Sequence, residues 1–250
     1  MGAPLTPSRA LGVVATWTGE RCASRFESAE LLKWLGAFFM LVEHVATFCF
    51  DIPDGVTHAL GRLAFPLFLA GLVLTTPGTR ALRVERTAEL ALRLAFWGAL
   101  AQCAGFFVRG LLPLNVLFTF SAGAGLVWCC ASRGVWRFPL AVLIVGAGWF
   151  CEFGWAGVGV VAITMRAANA FVDDVALRDT RSQWVLTVAG WAAGLSFGAV
   201  NAWNGNVWAC FALVVVAVVL RLGVGLPRVR HVFYWVYVAQ WLFFGAYNYG

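Results

Sequence analysis

Apolar stretches about as long as a membrane-spanning helix follow one another along most of this chain. The first runs from Leu31 to Phe50, and others succeed it as far as residue 249. Because a helix needs about 20 apolar residues to cross a hydrocarbon core of about 30 Å, this pattern predicts transmembrane helices. Charged residues make up 12% of the 250, whereas a globular domain carries about 25%. We therefore predict an all-α, polytopic integral membrane protein, folded as a helical bundle in the lipid bilayer.

The apolar pattern divides into about nine candidate spans joined by short connections. The fifth and sixth spans are short and nearly contiguous, so one of them is a candidate for a re-entrant or tilted hairpin. We predict a cytoplasmic N-terminal tail over residues 1–30 and one transmembrane domain over residues 31–250. The nine predicted spans are residues 31–50, 56–75, 89–108, 114–131, 138–153, 156–172, 184–201, 206–222 and 232–249.

Arginine residues concentrate in every second connection between the spans. The connections after the second, fourth, sixth and eighth spans are arginine-rich, whereas the alternate ones are acidic or carry little charge. Since cytoplasmic loops are enriched in Lys and Arg, the N-terminus is predicted inside and the C-terminus outside. The same loops account for the net charge of +6 without a basic face of the kind that binds nucleic acid. We therefore expect no nucleic-acid partner.

An acid and a histidine stand side by side within the first predicted span, at Glu43 and His44. Ionisable groups are costly in hydrocarbon, so those found there usually have a function. With a rise of 1.5 Å per residue, His44 lies about 20 Å from the inner boundary of the bilayer. Arg62 lies about 9 Å below the outer boundary by the same count. Since the core is about 30 Å thick, His44 is roughly 10 Å below the outer boundary. His44 and Arg62 can therefore lie at the same level.

Further polar residues fall at this outer level and predict an outward-facing polar cavity. Asn115 and Thr119 belong to the start of the fourth span, and Glu152 closes the fifth. Asn115 and Thr119 also have a structural explanation, because such side chains join transmembrane helices through hydrogen bonds. Glu152 also has a structural explanation, in which it forms a buried ion pair with Arg62 that has no catalytic role.

The cluster around His44 admits more than one interpretation. Glu43 and Arg62 form an ion pair in one of them, and His44 is a hydrogen-bonded packing residue. In the other, His44 takes a proton from an amine or hydroxyl while Arg62 stabilises an anion. No second ligand stands at metal-binding spacing from a histidine, so no metal is predicted.

Four sequence blocks then resemble the TraX family of conjugal-transfer membrane proteins. Residues 33–44 begin with Lys-Trp and end with Met-x-x-Glu-His, close to the family's Met-x-x-Asp-His. Three further blocks follow in the family's order, namely Gly-Arg-Leu-Ala-Phe-Pro-Leu-Phe at 61–68, Leu-Asn-Val-Leu-Phe-Thr at 114–119 and Glu-Phe-Gly at 152–154. The resemblance extends over residues 31 to about 245.

This resemblance implies an N-acetyltransferase of the bacterial inner (cytoplasmic) membrane. The expected acceptor and partner is the N-terminus of the conjugative pilin subunit, and the expected donor is acetyl-CoA. Since that donor is cytoplasmic, either its thioester arm threads between the helices or a group of the enzyme carries the acetyl. The candidate residues are Glu43, His44 and Arg62 for catalysis, Asn115, Thr119 and Glu152 for substrate binding, and Arg80, Arg83 and Arg86 for the CoA phosphates.

Two positions depart from the family pattern. Glu43 replaces an aspartate, and the closing Tyr-Pro-x-His appears here as Tyr237-Val-Ala-Gln240, without the proline or the histidine. If that histidine carries chemistry in relatives, this chain is altered or inactive. Two other functions therefore stay open, a non-catalytic membrane component that binds pilin through the same groove and a proton-coupled transporter. Turnover of acetyl-CoA would separate the enzyme from both.

Overall fold

A computed structural model is entirely helical in the part of the chain that it describes, residues 7–52, 55–75, 80–175, 198, 207–227 and 231–249. A single isolated bridge pairs Leu114 with Cys151. The helices are α1 (Pro7–Phe50), α2 (Val56–Leu74), α3 (Arg80–Arg109), α4 (Val116–Ala131), α5 (Arg137–Gly148), α6 (Gly154–Val175), α7 (Trp208–Leu222) and α8 (Val232–Tyr249). The prediction of an all-α fold is confirmed for these residues.

The helices overlap with eight of the predicted spans, and of the remaining one, 184–201, only residue 198 is described. Among the described residues, three segments are long and apolar enough to cross a membrane, as expected of a membrane protein: Glu27–Phe50, Val56–Leu74 and Val84–Arg109. Four shorter apolar helices accompany them: Val116–Ala131, Arg137–Gly148, Gly154–Ala168 and Cys210–Leu222. The count of nine crossings and the orientation of the N-terminus stay predictions.

The α5 helix is too short to cross a bilayer by itself. Its 12 residues extend about 18 Å, against a hydrocarbon core of about 30 Å. A tight connection leads into α6, and the Trp155 indole at the start of α6 donates a hydrogen bond to the Val145 carbonyl of α5 at 2.8 Å. This bond ties the end of α5 to the start of α6, and a re-entrant or tilted hairpin in this region stays a prediction.

The α1 helix continues without interruption from Pro7 to Phe50. The predicted boundary between a tail and a transmembrane domain, at residues 30 and 31, thus falls inside a helix. No change in secondary structure marks it in this described segment, and the domain division stays a prediction.

Aromatic rings and close glycine contacts join the helices around one core. Phe65 of α2 stacks on Phe120 of α4 with ring centroids 5.0 Å apart. Phe65 also lies 4.5 Å from the ring of Phe153, which precedes α6. On the other side, Trp241 of α8 packs against Gly105 of α3. These contacts join α2 to α4 and to the start of α6, and they join α3 to α8.

The contact between α4 and α6 depends on Gly123. A Cβ at this position would lie 2.4 Å from the Val161 side chain, which is well inside van der Waals contact. Gly159 of α6 makes a matched control, because no described atom lies within 4 Å of the Cβ that an alanine would add there.

We expect Gly123→Ala to lower the unfolding temperature of the detergent-solubilised protein and Gly159→Ala to raise it slightly. Alanine gains about 1 kcal/mol over glycine in an open helix, whereas overpacking costs about 1–3 kcal/mol. Thermal unfolding followed by circular dichroism measures both variants. Equal shifts of the unfolding temperature in the two variants would contradict the close approach of α4 and α6.

Candidate functional site

The Glu43 carboxylate lies at the centre of a charged cluster between α1 and α2. The Arg62 guanidinium donates to Glu43 Oε1 at 2.5 Å, and His58 Nδ1 lies 3.2 Å from the same oxygen. His58 and Arg62 are four residues apart on α2, so they share one helical face. The side chains of Glu43 and Arg62 are only 12% and 19% exposed. Of the two ion pairs of Arg62 considered from the sequence, the structure has the one with Glu43.

Gly61 makes this approach of the two helices possible. A Cβ at residue 61 would overlap with the carboxyl group of Glu43. Glycine therefore precedes Arg62 for a steric reason, since any side chain there would displace the acid from its partner.

His44 is enclosed by aromatic rings. Its imidazole lies 4.8 Å from the Trp241 ring, 5.7 Å from Phe48 and 6.0 Å from Phe244, measured between centroids. The Gln240 side chain adjoins the imidazole as well. Within the described part of the chain, neither His44 Nδ1 nor Gln240 Nε2 has a hydrogen-bond partner, although both atoms are buried. Both atoms are therefore able to form a hydrogen bond with a group that enters the site.

Glu152 belongs to a second ion pair on the other side of the site. Its backbone N–H donates to the Leu114 carbonyl at 2.8 Å, which anchors it to the connection between α3 and α4. The carboxylate oxygens each lie 3.4 Å from a nitrogen of Arg109. The Arg109 guanidinium also lies over the Trp241 ring, 5.2 Å from its centroid. Trp241 therefore contacts both Arg109 and His44.

One small cavity brings four of the predicted site residues together. Its volume is about 30 Å³, which exceeds the roughly 10–15 Å³ that a cavity needs to hold one water molecule. Its apolar walls include Met40, Phe65 and Phe153. The charged and polar side chains that line it are Glu43, His44, Arg62, Glu152 and Tyr237. A site of this size accepts a small polar group such as an amine, and a larger group requires the helices to part.

The Asn115 side chain forms hydrogen bonds with the start of α4 and with α3. Its Oδ1 accepts from the Leu117 N–H at 3.1 Å and so caps α4. Its Nδ2 donates to the Gly98 carbonyl at 2.8 Å and to Gln102 Oε1 at 3.0 Å. This geometry favours the interhelical explanation, and a role for Asn115 in substrate binding stays a prediction.

Thr119 is fully buried one turn further along α4. Its methyl group and the Phe153 side chain both approach Gly157, where a Cβ would overlap with them. Its hydroxyl has no hydrogen-bond partner among the residues described. Thr119 therefore supports the Phe153 wall of the cavity from behind, and direct contact with a substrate stays a prediction.

The three arginines predicted to bind CoA phosphates lie at the opposite end of α3 from the cavity. Arg80 begins α3, Arg83 and Arg86 follow in its first two turns, and Arg109 ends it. The 23 residues between Arg86 and Arg109 correspond to about 35 Å along the helix axis. Arg86 is exposed, and the side chains of Arg80 and Arg83 lie outside the described part of the structure.

Several residues at the site were not assigned a role from the sequence. Arg109 stands alone between two apolar runs of the sequence, and no pattern in the sequence singles out Trp241. Gln240 was noted only as a departure from a pattern, yet it lies beside His44. His58 gave one usable signal, its spacing of four residues from Arg62, which places both on one helical face.

Comparisons with known proteins agree with the sequence blocks described above. The family model described as TraX protein matches residues 28–246. Protein TraX of Escherichia coli is 29% identical over 147 residues, which cover 56% of this chain and 56% of that protein. The chain thus matches only about half the length of this curated relative. No solved structure shows significant similarity to the chain.

The pair of Glu43 and Arg62 yields a double-mutant prediction. We expect Arg62→Met alone to destabilise the protein by about 3–5 kcal/mol, because it leaves a buried carboxylate without its partner. The double variant Glu43→Leu with Arg62→Met should recover most of that loss. Denaturant unfolding in detergent micelles measures the free energy of each variant. A double variant as unstable as the sum of both singles would show that the charges do not act as a pair.

Proposed function

The chain belongs to the TraX family, and from this premise we propose that it is a multi-pass acetyltransferase of the bacterial inner membrane. Its proposed reaction is transfer of an acetyl group from acetyl-CoA to the N-terminus of the conjugative pilin subunit. The observation that carries the proposal is the convergence of an imidazole, two carboxylates and a guanidinium on one cavity. Such a set provides a base, a cation and an amine-binding acid in one place.

His44 is the proposed general base. Its buried Nδ1 has no hydrogen-bond partner in the described segments, and a neutral imidazole nitrogen of this kind accepts a proton. The surrounding Trp241, Phe48 and Phe244 rings hold the imidazole in place. We propose that His44 takes the proton of the acceptor amine as the amine attacks.

Arg62 is the proposed group that stabilises negative charge on the acyl oxygen. It remains cationic, because a guanidinium is not deprotonated in proteins. Glu43 holds one of its terminal nitrogens, while its Nε is buried and unpartnered in the described chain. A donor fixed in this way, in a site with little water, is effective at stabilising an oxyanion. Glu43 then acts by positioning Arg62.

Glu152, Asn115 and Thr119 are proposed to shape the acceptor side of the cavity. Glu152 lines the cavity directly. Asn115 and Thr119 lie on either side of Val116, which is itself a wall residue. The contacts of Asn115 with α3 and of Thr119 with Gly157 would hold this wall in a fixed position beside the amine.

Acetyl-CoA would supply the acetyl group. The C–N bond would form as the thioester C–S bond breaks, the CoA sulfur would leave as a thiolate, and His44 would pass to it the proton taken from the amine. The basic N-terminal end of α3 has the charge required to hold its phosphates, through Arg80, Arg83 and Arg86. Since Arg86 and the cavity lie at opposite ends of this helix, the acetyl group has to pass between the helices to reach His44.

We expect co-expressed pilin to gain the mass of one acetyl group with the wild-type protein and to lose that gain with His44→Ala. Intact-mass spectrometry of purified pilin measures it directly. His231→Asn is the matched control, because His231 is exposed and lies about 15 Å from Trp241 along α8. Asparagine also tolerates the positive φ of 65° found there.

The membrane levels of both variants have to equal that of the wild type. An unmodified pilin with the wild-type protein would reject the acetyltransferase. The non-catalytic pilin-binding component or the transporter would then be the better interpretation, and proton-coupled uptake in vesicles, unaffected by acetyl-CoA, would identify the transporter.

A further inference from the structure

We infer that Glu152 is the subsite for the positively charged amino group of the acceptor and that Arg109 is a counter-ion which this ammonium displaces. The inference rests on the proposed function and deepens it by naming the ligand as an unblocked peptide N-terminus. It depends on the difference between the two ion pairs that border the cavity.

The two carboxylates at the cavity differ in how firmly they are held. Glu43 Oε1 accepts from Arg62 at 2.5 Å and has His58 at 3.2 Å. Glu152 meets Arg109 only at 3.4 Å, through each of its oxygens. Because hydrogen bonds between ionised groups are about 2.7–2.9 Å long, the contact of Glu152 with Arg109 is a loose one. Glu152 is therefore the carboxylate that can exchange its partner for a bound cation.

Arg109 has a second favourable position close by. Its guanidinium already lies over the face of Trp241, at 5.2 Å from the ring centroid, and a cation is attracted to an indole face at that distance. Its side chain is also 20% exposed, so it retains access to polar surroundings. Release of Glu152 thus leaves the guanidinium with a partner, which lowers the cost of the exchange.

The backbone fixes Glu152 while its side chain changes partner. The Glu152 N–H donates to the Leu114 carbonyl, and the Leu114 N–H donates to the Phe150 carbonyl at 2.7 Å. These two bonds hold the connection before α6 against the connection before α4. The carboxylate is consequently presented from a rigid support, as a binding group requires.

The surroundings of Glu152 suit an ammonium group. The rings of Phe65, Phe153 and Tyr237 line the same cavity, and aromatic rings attract cations. A cavity of about 30 Å³ has room for an amino group. The ligand is therefore the ammonium of a free peptide N-terminus. It would release one proton to water to give the neutral amine that attacks, and His44, which lines the same cavity, would take the second proton during the attack.

Binding of two synthetic peptides to the full-length protein in detergent tests this inference. Both begin with alanine and end in an amide, and one carries an N-formyl group that removes the positive charge. Isothermal titration calorimetry without acetyl-CoA gives the dissociation constants. We expect the wild type to prefer the free peptide by about tenfold or more, equivalent to about 1.4 kcal/mol.

The variants distinguish a subsite from a purely structural ion pair. Glu152→Gln should abolish the preference for the free peptide, and Glu152→Asp should retain part of it. Arg109→Gln should strengthen binding of the free peptide several-fold, since it removes the competing cation. Glu89→Gln is the control, because Glu89 is exposed and lies about 30 Å from Arg109 along α3, and it should leave both constants unchanged.

Opposite effects of Arg109→Gln and Glu152→Gln would support the inference, whereas equal weakening by both would overturn it and leave a structural ion pair. Unfolding temperatures of the variants identify any that fail to fold. If Glu152→Gln or Arg109→Gln fails, the preference for the free peptide is compared between Glu152→Asp and Glu89→Gln, and a preference reduced only in Glu152→Asp supports the subsite. Since no acetyl donor is present, a charge-dependent preference would stand even if pilin were never acetylated. If pilin were acetylated but the protein bound the free and formylated peptides equally, the subsite would be rejected and the proposed function would stand.

Discussion

The buried pair of Glu43 and Arg62 is the interaction on which the rest of the site depends. A charge held inside an apolar helical bundle is tolerated only when a partner neutralises it. The need to bring these two side chains into contact requires close packing of α1 against α2, which the missing side chain of Gly61 allows. His44, the next residue on α1, is thereby placed at the same depth in the bundle.

The C-terminal helix completes the site from the other side. Trp241 of α8 contacts the imidazole of His44 and the guanidinium of Arg109, and Arg109 in turn reaches Glu152. Two ion pairs of unequal length therefore border one cavity, with a histidine between them. The two ion pairs differ in length, 2.5 Å against 3.4 Å, and the proposed chemistry uses Arg62 for an oxyanion and Glu152 for an amine.

The distance between the two ends of α3 is the main constraint on the proposed reaction. The cavity adjoins the end at Arg109, whereas the basic residues begin at Arg80. If the donor is a cytoplasmic thioester and the acceptor lies on the opposite face, as proposed, one of them has to enter the bundle.

The amino-acid sequence by itself predicted eight apolar spans that overlap with the described helices, because the bilayer demands apolar runs of a certain length. It did not predict that α1 begins at Pro7. It also predicted Arg62 at the level of His44, since the rise of a helix converts residue number into depth, and both side chains line the cavity. Only the tertiary structure decided the partners of residues distant in the chain. Asn115 joins Gln102, Glu152 joins Arg109, and Trp241 covers His44. Such contacts depend on how separate helices pack and rotate against one another, which local hydrophobicity does not specify.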